Sequence, residues 1–207
     1  MTNKNIPKFF NSPQFVASYF SVNKLPQHSC REVVFAGRSN CGKSSLINAV
    51  TGQKKLAITS KTPGRTRSIN YFKLNNDNYL IDLPGYGYAQ VSSSTKQQWH
   101  ILLEQFFQTR SSICGVILIM DIRHPLTKFD QQMLDFCGHH SWPTHVVLNK
   151  ADKLSSQQAN STLQKVSASL NKLAINFSIQ CCSTTKKTGV APLQEKIIGW
   201  LEPPLYE

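Results

Sequence analysis

Eight consecutive residues, Gly37-Arg38-Ser39-Asn40-Cys41-Gly42-Lys43-Ser44, carry the spacing GxxxxGK[ST] and directly follow a mostly apolar run, Glu32 to Ala36. Glycines in such a loop let the backbone wrap so that successive N–H groups point inward at an anion the size of a phosphate. Lys43 then reaches the β- and γ-phosphates of a nucleotide, and the Ser44 hydroxyl is a ligand for Mg²⁺. A helix opening at Lys43 adds its positive N-terminal end to the same place. A purely structural glycine turn competes poorly, because strand, loop and helix come in the order that phosphate binding needs.

Two further groups follow in an order that strengthens the first. Asp82-Leu83-Pro84-Gly85 closes an apolar run beginning at Tyr79. Asp82 at a strand tip can hold the water shell of Mg²⁺, and the Gly85 N–H can donate to a γ-phosphate. Between the two motifs lies a polar loop in which Thr66 is the expected second metal ligand, with Thr62 as fallback. The third group, Asn149-Lys150-Ala151-Asp152, ends another apolar run. The Asp152 carboxylate can accept from the N1–H and 2-amino group of guanine, whereas adenine would leave it desolvated and unpaired. The Lys150 stem can lie over the base, and Asn149 can tie this loop to the phosphate loop. Backbone N–H groups of Cys182, Ser183 and Thr184 can meet guanine O6. The expected catalytic set is Lys43, Thr66, Gly85 and Asn40.

These residues need a rigid frame. Strands are expected at Glu32–Ala36, Ser68–Leu74, Asn78–Asp82, Gly115–Asp121, His145–Asn149 and Ile175–Gln180. Helices are expected at Lys43–Val50, Thr95–Thr109, Lys128–Cys137, Ser155–Leu173 and Val190–Leu201. The alternation predicts an α/β fold: a six-stranded, mostly parallel sheet with one antiparallel strand and helices on both faces. The three motifs fall at the carboxyl ends of strands, where such sheets bind ligands. Residues 1–30 are expected to be an N-terminal extension packing on the domain formed by 31–207. Trp99, Phe106 and Phe107 share a helical face and are expected in the core; His139 and His140 are expected in a solvated loop, and His124 in a structural hydrogen bond.

The chain has 207 residues, 40% of them apolar, which suits one globular domain. No apolar run reaches the length of a membrane span and the first 30 residues lack a secretory pattern, so a cytoplasmic protein without integral membrane association is expected. Six cysteines show no metal-ligand spacing. A net charge of +12 points to a polyanionic partner.

The order GRSNCGKSSLIN, KTPGRTRSINYF, DLPGYGYA, MDIRHPL, NKAD and CSTTKKTG resembles the EngB (YihA/YsxC) family, bacterial GTPases of the Era/EngA/TrmE group. The resemblance spans roughly Gln14 to Leu201, and the stretches Asp82–Ala89 and Asp121–Leu126 are its more family-specific parts. It implies a three-layer Ras-like fold and binding of GTP and GDP with Mg²⁺ on Ser44 and Thr66, the nucleotide also being met by Gly64, Arg65, Thr66, Arg67 and Ser68. It also implies a slow GTPase serving as a switch in large ribosomal subunit assembly, with rRNA and ribosomal proteins as partners, and a requirement in cell division and septation. Cys41, Asn149 and Cys182 depart from the family's usual residues. Tyr86 stands where Ras-type enzymes place a water-orienting Gln; K⁺ held by Asn40 and by backbone carbonyls of residues 62–66 is one expected substitute for that function. A monomer is expected. The competing readings are a small-molecule nucleotide kinase, which leaves Asp152 unexplained, and a membrane- or septum-associated regulatory GTPase without a ribosomal role.

Overall fold

The computed structural model describes residues 9–26, 30–58, 68–75, 77–86, 93–173 and 175–202. Seven strands form one sheet: β1 (Gln14–Tyr19), β2 (Arg31–Gly37), β3 (Ile69–Lys73), β4 (Asn78–Asp82), β5 (Ile113–Asp121), β6 (Thr144–Asn149) and β7 (Phe177–Cys181). Their spatial order is β1-β3-β4-β2-β5-β6-β7. β3 runs antiparallel to both β1 and β4, and every other pairing is parallel. Five α-helices, α1 (Lys43–Val50), α2 (Ser93–Thr109), α3 (Lys128–His139), α4 (Ser156–Leu170) and α5 (Val190–Leu201), are seen among the described residues.

The sheet has one strand more than the six expected, because β1 joins its edge. β1 carries little alternation to read: its register slips between Phe15 and Ala17, and Phe15 and Val16 are 53% and 46% exposed. The backbone ladder to β3 holds it there, with Tyr19 set edge-on against the buried Tyr71 at 5.3 Å between ring centroids. Ahead of β1, Phe9 and Phe10 are buried in the core.

The central strands show why both faces are covered. On β2, Val33 and Phe35 join a cluster with Leu46, Ile47 and Val50 of α1 and with Leu193, Ile197 and Leu201 of α5. Val34 and Ala36, facing the other way, join Phe106 and Phe107 of α2, Leu134 of α3 and Val166 and Leu170 of α4. Period-two alternation thus sorts one apolar strand into two cores. Trp99's side chain lies outside the described residues. His140 is not in a solvated loop. It caps α3, and its ring stacks on Trp142 at 4.4 Å between centroids, with Phe136 on the other side of the cluster at 5.6 Å. His139, the last residue of α3, is exposed, as is His124, whose backbone N–H donates to the Asp121 carbonyl at 2.9 Å.

Candidate nucleotide-binding site

At the carboxyl end of the sheet, β2 passes through the glycine-rich loop into α1. Close neighbours set the loop's path. A Cβ on Gly37 would strike the Ile119 carbonyl and the Cys41 sulfur, and Gly42, at φ +97°, has the Asn149 amide where a Cβ would stand. Asn40 also takes a positive φ, 62°, and the Cys41 N–H closes a turn on the Arg38 carbonyl at 3.1 Å. The Cys41 side chain is buried beneath the loop, where burial pushes its thiol up to about 12. Cys41 therefore packs as a small apolar residue, not a nucleophile.

Lys43 and Asp82 are both buried, and the Lys43 ammonium pairs directly with Asp82 Oδ1. The pairing follows from register: β2 and β4 lie side by side with Phe35 opposite Asp82, so the acid emerges next to the glycine that starts the loop. Asn70 Nδ2 donates to Asp82 Oδ2 at 3.4 Å, and Asn70 Oδ1 accepts from the hydroxyls of Ser68 (3.0 Å) and Ser18 (2.6 Å). The extra strand β1 thereby reaches the edge of the site. Gly64, Arg65, Thr66 and Arg67, together with Thr62, lie outside the described residues; Ser68 is the first residue of that segment to be placed. Ser44 and Asp82 are hard oxygen donors of the kind Mg²⁺ takes, and such sites need only one or two protein ligands beside phosphate and water.

Leu83 is buried in the core, so only its backbone can contribute to a site. Gly85 lies flat on the phosphate loop, where a Cβ would come within 3.2 Å of Ser39 Cα. The Ser39 N–H donates to the Tyr86 carbonyl at 2.8 Å, and the Tyr86 N–H donates to the Gly37 carbonyl at 3.4 Å. Tyr86 is itself buried, and its hydroxyl donates to Asp130 Oδ1 at 2.8 Å. Burial, then the Asp130 charge, holds that hydroxyl protonated far above the usual phenol range. Asp130 Oδ2 accepts from the N–H and hydroxyl of Thr127, at 2.9 and 2.7 Å, at the start of α3. A side chain committed in this way is not placed to orient a water as the Ras-type glutamine does.

At the ends of β6 and β7 the third motif comes together. Asn149 Nδ2 donates to the Cys41 carbonyl at 2.9 Å, tying the motif to the phosphate loop; Asn149 Oδ1 is buried with no partner among the described residues. The Lys150 backbone is left-handed (φ 65°), and its ammonium donates to the Asn40 carbonyl at 2.5 Å and to Asp121 Oδ2 at 2.9 Å. Ala151 N–H donates to the Cys182 carbonyl at 3.0 Å, and Cys182 N–H to the Leu148 carbonyl at 2.9 Å, which sets the two loops in register. Ser183 Oγ donates to Asp152 Oδ1 at 2.6 Å, while Lys153 stands 3.2 Å from Oδ2. Ser183's hydrogen bond, more than any other contact, holds the Asp152 carboxyl below its usual range. Cys182 is buried and its thiol raised to about 11 by burial; Thr184 is half-buried beside it, and Lys186 and Lys187 are exposed. Residues 37–44, 82–85, 149–152 and 182–184 thus meet at one end of the sheet. Asn70 and Asp130 belong to none of the three motifs and act across the fold, on Asp82 and on Tyr86, whereas Asp121 and Arg123 lie in the family-specific stretch 121–126 and reach Lys150 only through the pairing of β5 with β6.

A glycine-rich cradle leading into a helix, a metal-type acid one strand away and a base-type loop beyond it, on a mostly parallel sheet, define a P-loop GTPase of Ras-like fold. Residues 32–150 match the family model described as "50S ribosome-binding GTPase". A probable GTP-binding protein EngB of Azoarcus sp. (strain BH72) is 46% identical over 199 residues, covering 96% of this chain and 95% of that one. Another from Thiobacillus denitrificans (strain ATCC 25259 / T1) is 47% identical over 193 residues, covering 93% of each. The crystal structure of a probable GTP-binding protein engB superposes with a TM-score of 0.67 at 22% identity, over 84% of this chain and all of that one. The bacterial selenocysteine-specific elongation factor EF-Sec gives 0.60 at 21% identity, over 86% of this chain and 29% of that one. The chain belongs to the EngB family of GTP-binding proteins, and it is a GTPase. Among the described residues no helix is long and apolar enough to cross a membrane.

Proposed function

We propose that this GTPase is a slow, Mg²⁺-dependent switch in assembly of the large ribosomal subunit. The carrying observation is the Lys43–Asp82 pair with Gly85 laid on Ser39. For Lys43 to reach the β- and γ-phosphates and Asp82 to face a metal's water shell, that pair must part. A γ-phosphate that draws in the Gly85 N–H must also move the backbone joined to Ser39. Phosphate and metal thereby act on one element with two arrangements, which is what a switch requires. Ser44 and Thr66 are the proposed Mg²⁺ ligands, and the ion supplies charge neutralisation at the phosphates. Asp152, held ionised by Ser183, reads guanine; Asn149 fixes the loop; the N–H groups of 182–184 meet the O6 atom. The phosphate loop, residues 64–68 and Asp82–Gly85 hold the rest of the nucleotide.

With Tyr86 tied to Asp130, water positioning falls to another group, and intrinsic turnover is slow. Asn40, exposed on the loop, is the proposed ligand of an activating K⁺; equal hydrolysis rates in KCl and NaCl would dispose of that part. Support for the ribosome is the matching family's description together with the +12 charge, which suits an RNA surface through counterion release. The chain is proposed to work in the cytoplasm as a monomer, with division and septation depending on it through the ribosome. The test is retention of large ribosomal subunits by purified protein with a non-hydrolysable GTP analogue against GDP. Retention that follows the nucleotide supports the switch, and no retention in either state ends the ribosomal reading in favour of a septum-associated role.

A further inference from the structure

The stretch Asp121-Ile122-Arg123 lies at the carboxyl end of β5 and has no part in the phosphate, metal or base motifs. β5 and β6 are paired so that Asp121 stands opposite Asn149, and the Ile122 N–H donates to the Asn149 carbonyl at 2.9 Å. The strand ends therefore place Asp121 one residue from Lys150. Its carboxylate is nearly covered and fully engaged. Arg123 grips it with a fork, Nε to Oδ1 at 2.9 Å and a terminal nitrogen to Oδ2 at 2.7 Å, and adds its backbone N–H to Oδ1 at 3.1 Å. Lys150 takes Oδ2 at 2.9 Å and continues to the Asn40 carbonyl on the phosphate loop. Burial would raise this carboxyl, but the hydrogen bonds from Arg123 and Lys150 outweigh it and hold the group well below the usual range.

We propose that Asp121 and Arg123 are positioning residues for Lys150, holding its ammonium at the phosphate loop so that its methylene stem forms a fixed floor for the guanine base and ribose. The proposal rests on the reading of Asn149–Asp152 as the base loop. A lysine side chain has much rotamer freedom to lose, and a stem already stretched between two acceptors has lost most of it before a base arrives. The bidentate fork fixes the plane of the carboxylate, which a single ammonium contact does not do. Loss of the clamp should therefore weaken binding on the base side, equally for GDP and GTP, and leave chemistry at saturation untouched.

The test is a double-mutant cycle read by titration with a fluorescent GDP analogue and by steady-state hydrolysis. Asp121→Asn is expected to weaken GDP on the order of tenfold and Arg123→Ala about threefold, with Arg123→Lys between Arg123→Ala and the unaltered chain. KM should rise and kcat stay unchanged. On a Lys150→Ala background both effects should vanish. The Arg123 side chain is 42% exposed, so Arg123→Ala removes no core packing and decides the matter even where Asp121→Asn folds poorly. Undiminished loss on the Lys150→Ala background, or a fall in kcat with KM unchanged, overturns the proposal. A Lys150→Ala protein that binds GDP as tightly as the unaltered chain sinks the base-loop reading instead.

Discussion

Two buried ion pairs sit at opposite ends of the sheet, and they are built differently. At the amino end, Glu32 is fully buried and enclosed by Arg110, whose Nε donates to Oε2 at 3.2 Å and whose Nη2 donates to Oε1; Ser112 Oγ donates to Oε2 at 2.9 Å. The remaining guanidinium nitrogen donates to the Pro26 carbonyl at 2.6 Å. This network is closed, and it binds the segment ahead of β2 to the start of β5. At the carboxyl end, Lys43 and Asp82 are just as buried, but one ammonium meets one oxygen and the other oxygen has a long 3.4 Å contact from Asn70. Burial is therefore not what separates the structural pair from the one proposed to work on phosphate and metal. The difference lies in how many of the partners' hydrogen-bonding positions are already filled by groups with nowhere else to go.

The largest expected effect tests that contrast directly. Glu32→Ala leaves the Arg110 charge buried and is expected to cost about 3–5 kcal/mol in urea unfolding, with GDP affinity of the folded protein unchanged. Lys43→Ala should instead weaken GTP on the order of tenfold or more, because this is the charge placed to reach the β- and γ-phosphates. Undiminished GTP binding by Lys43→Ala, or GDP affinity lost with Glu32→Ala, would erase the distinction between the two pairs. His145 offers a second probe of the structural kind. It is buried on β6, with its ring nitrogens 2.7 Å from Ser178 Oγ and 3.0 Å from Gln180 Oε1. Burial lowers its pKa from 6.5 to about 4, outweighing the Gln180 hydrogen bond, which favours the charged ring. Because the unfolded chain binds this proton more tightly, the contribution is full above 6.5 and is lost as pH falls from 6.5 toward 4. The loss is about 3 kcal/mol over that window, and His145→Gln should flatten the slope.

On the working side, Asp152→Asn should weaken GTP by about 2–3 kcal/mol, read by calorimetry, and narrow its preference over ITP, which lacks the 2-amino group. A smaller effect is expected from Tyr86→Phe. Removing a buried donor from Asp130 should cost about 1–2 kcal/mol, while single-turnover hydrolysis stays within a factor of two or three. A tenfold fall in hydrolysis would restore Tyr86 to the chemistry.

Much of this arrangement is legible in residue order. Lys43–Val50 and Val190–Leu201 stand where periodicity and flanking glycines put them, and the solid apolar runs of β5 and β6 read directly as covered strands. Where the pattern fails, the cause is physical. β1 passes through a bulge that breaks its period of two, so its side chains carry little alternation. α4 stops at Leu170, three residues short of the expected end, where turn bonds at Lys172 and Leu173 replace the helical ladder. Tyr86 occupies a position that tempts a catalytic reading, and only its Asp130 partner, 44 residues away, shows where the hydroxyl goes. The Asp121–Lys150 contact is likewise a matter of strand register, which no local window contains.

The bond between Tyr86 and Asp130 has a mechanical corollary. Residue 86 is fastened on one side to the phosphate loop and on the other to the first turn of α3, which Thr127 clasps to the same carboxylate. Any shift of the chain behind Gly85 must either snap a sheltered hydroxyl contact or drag the near end of that helix along.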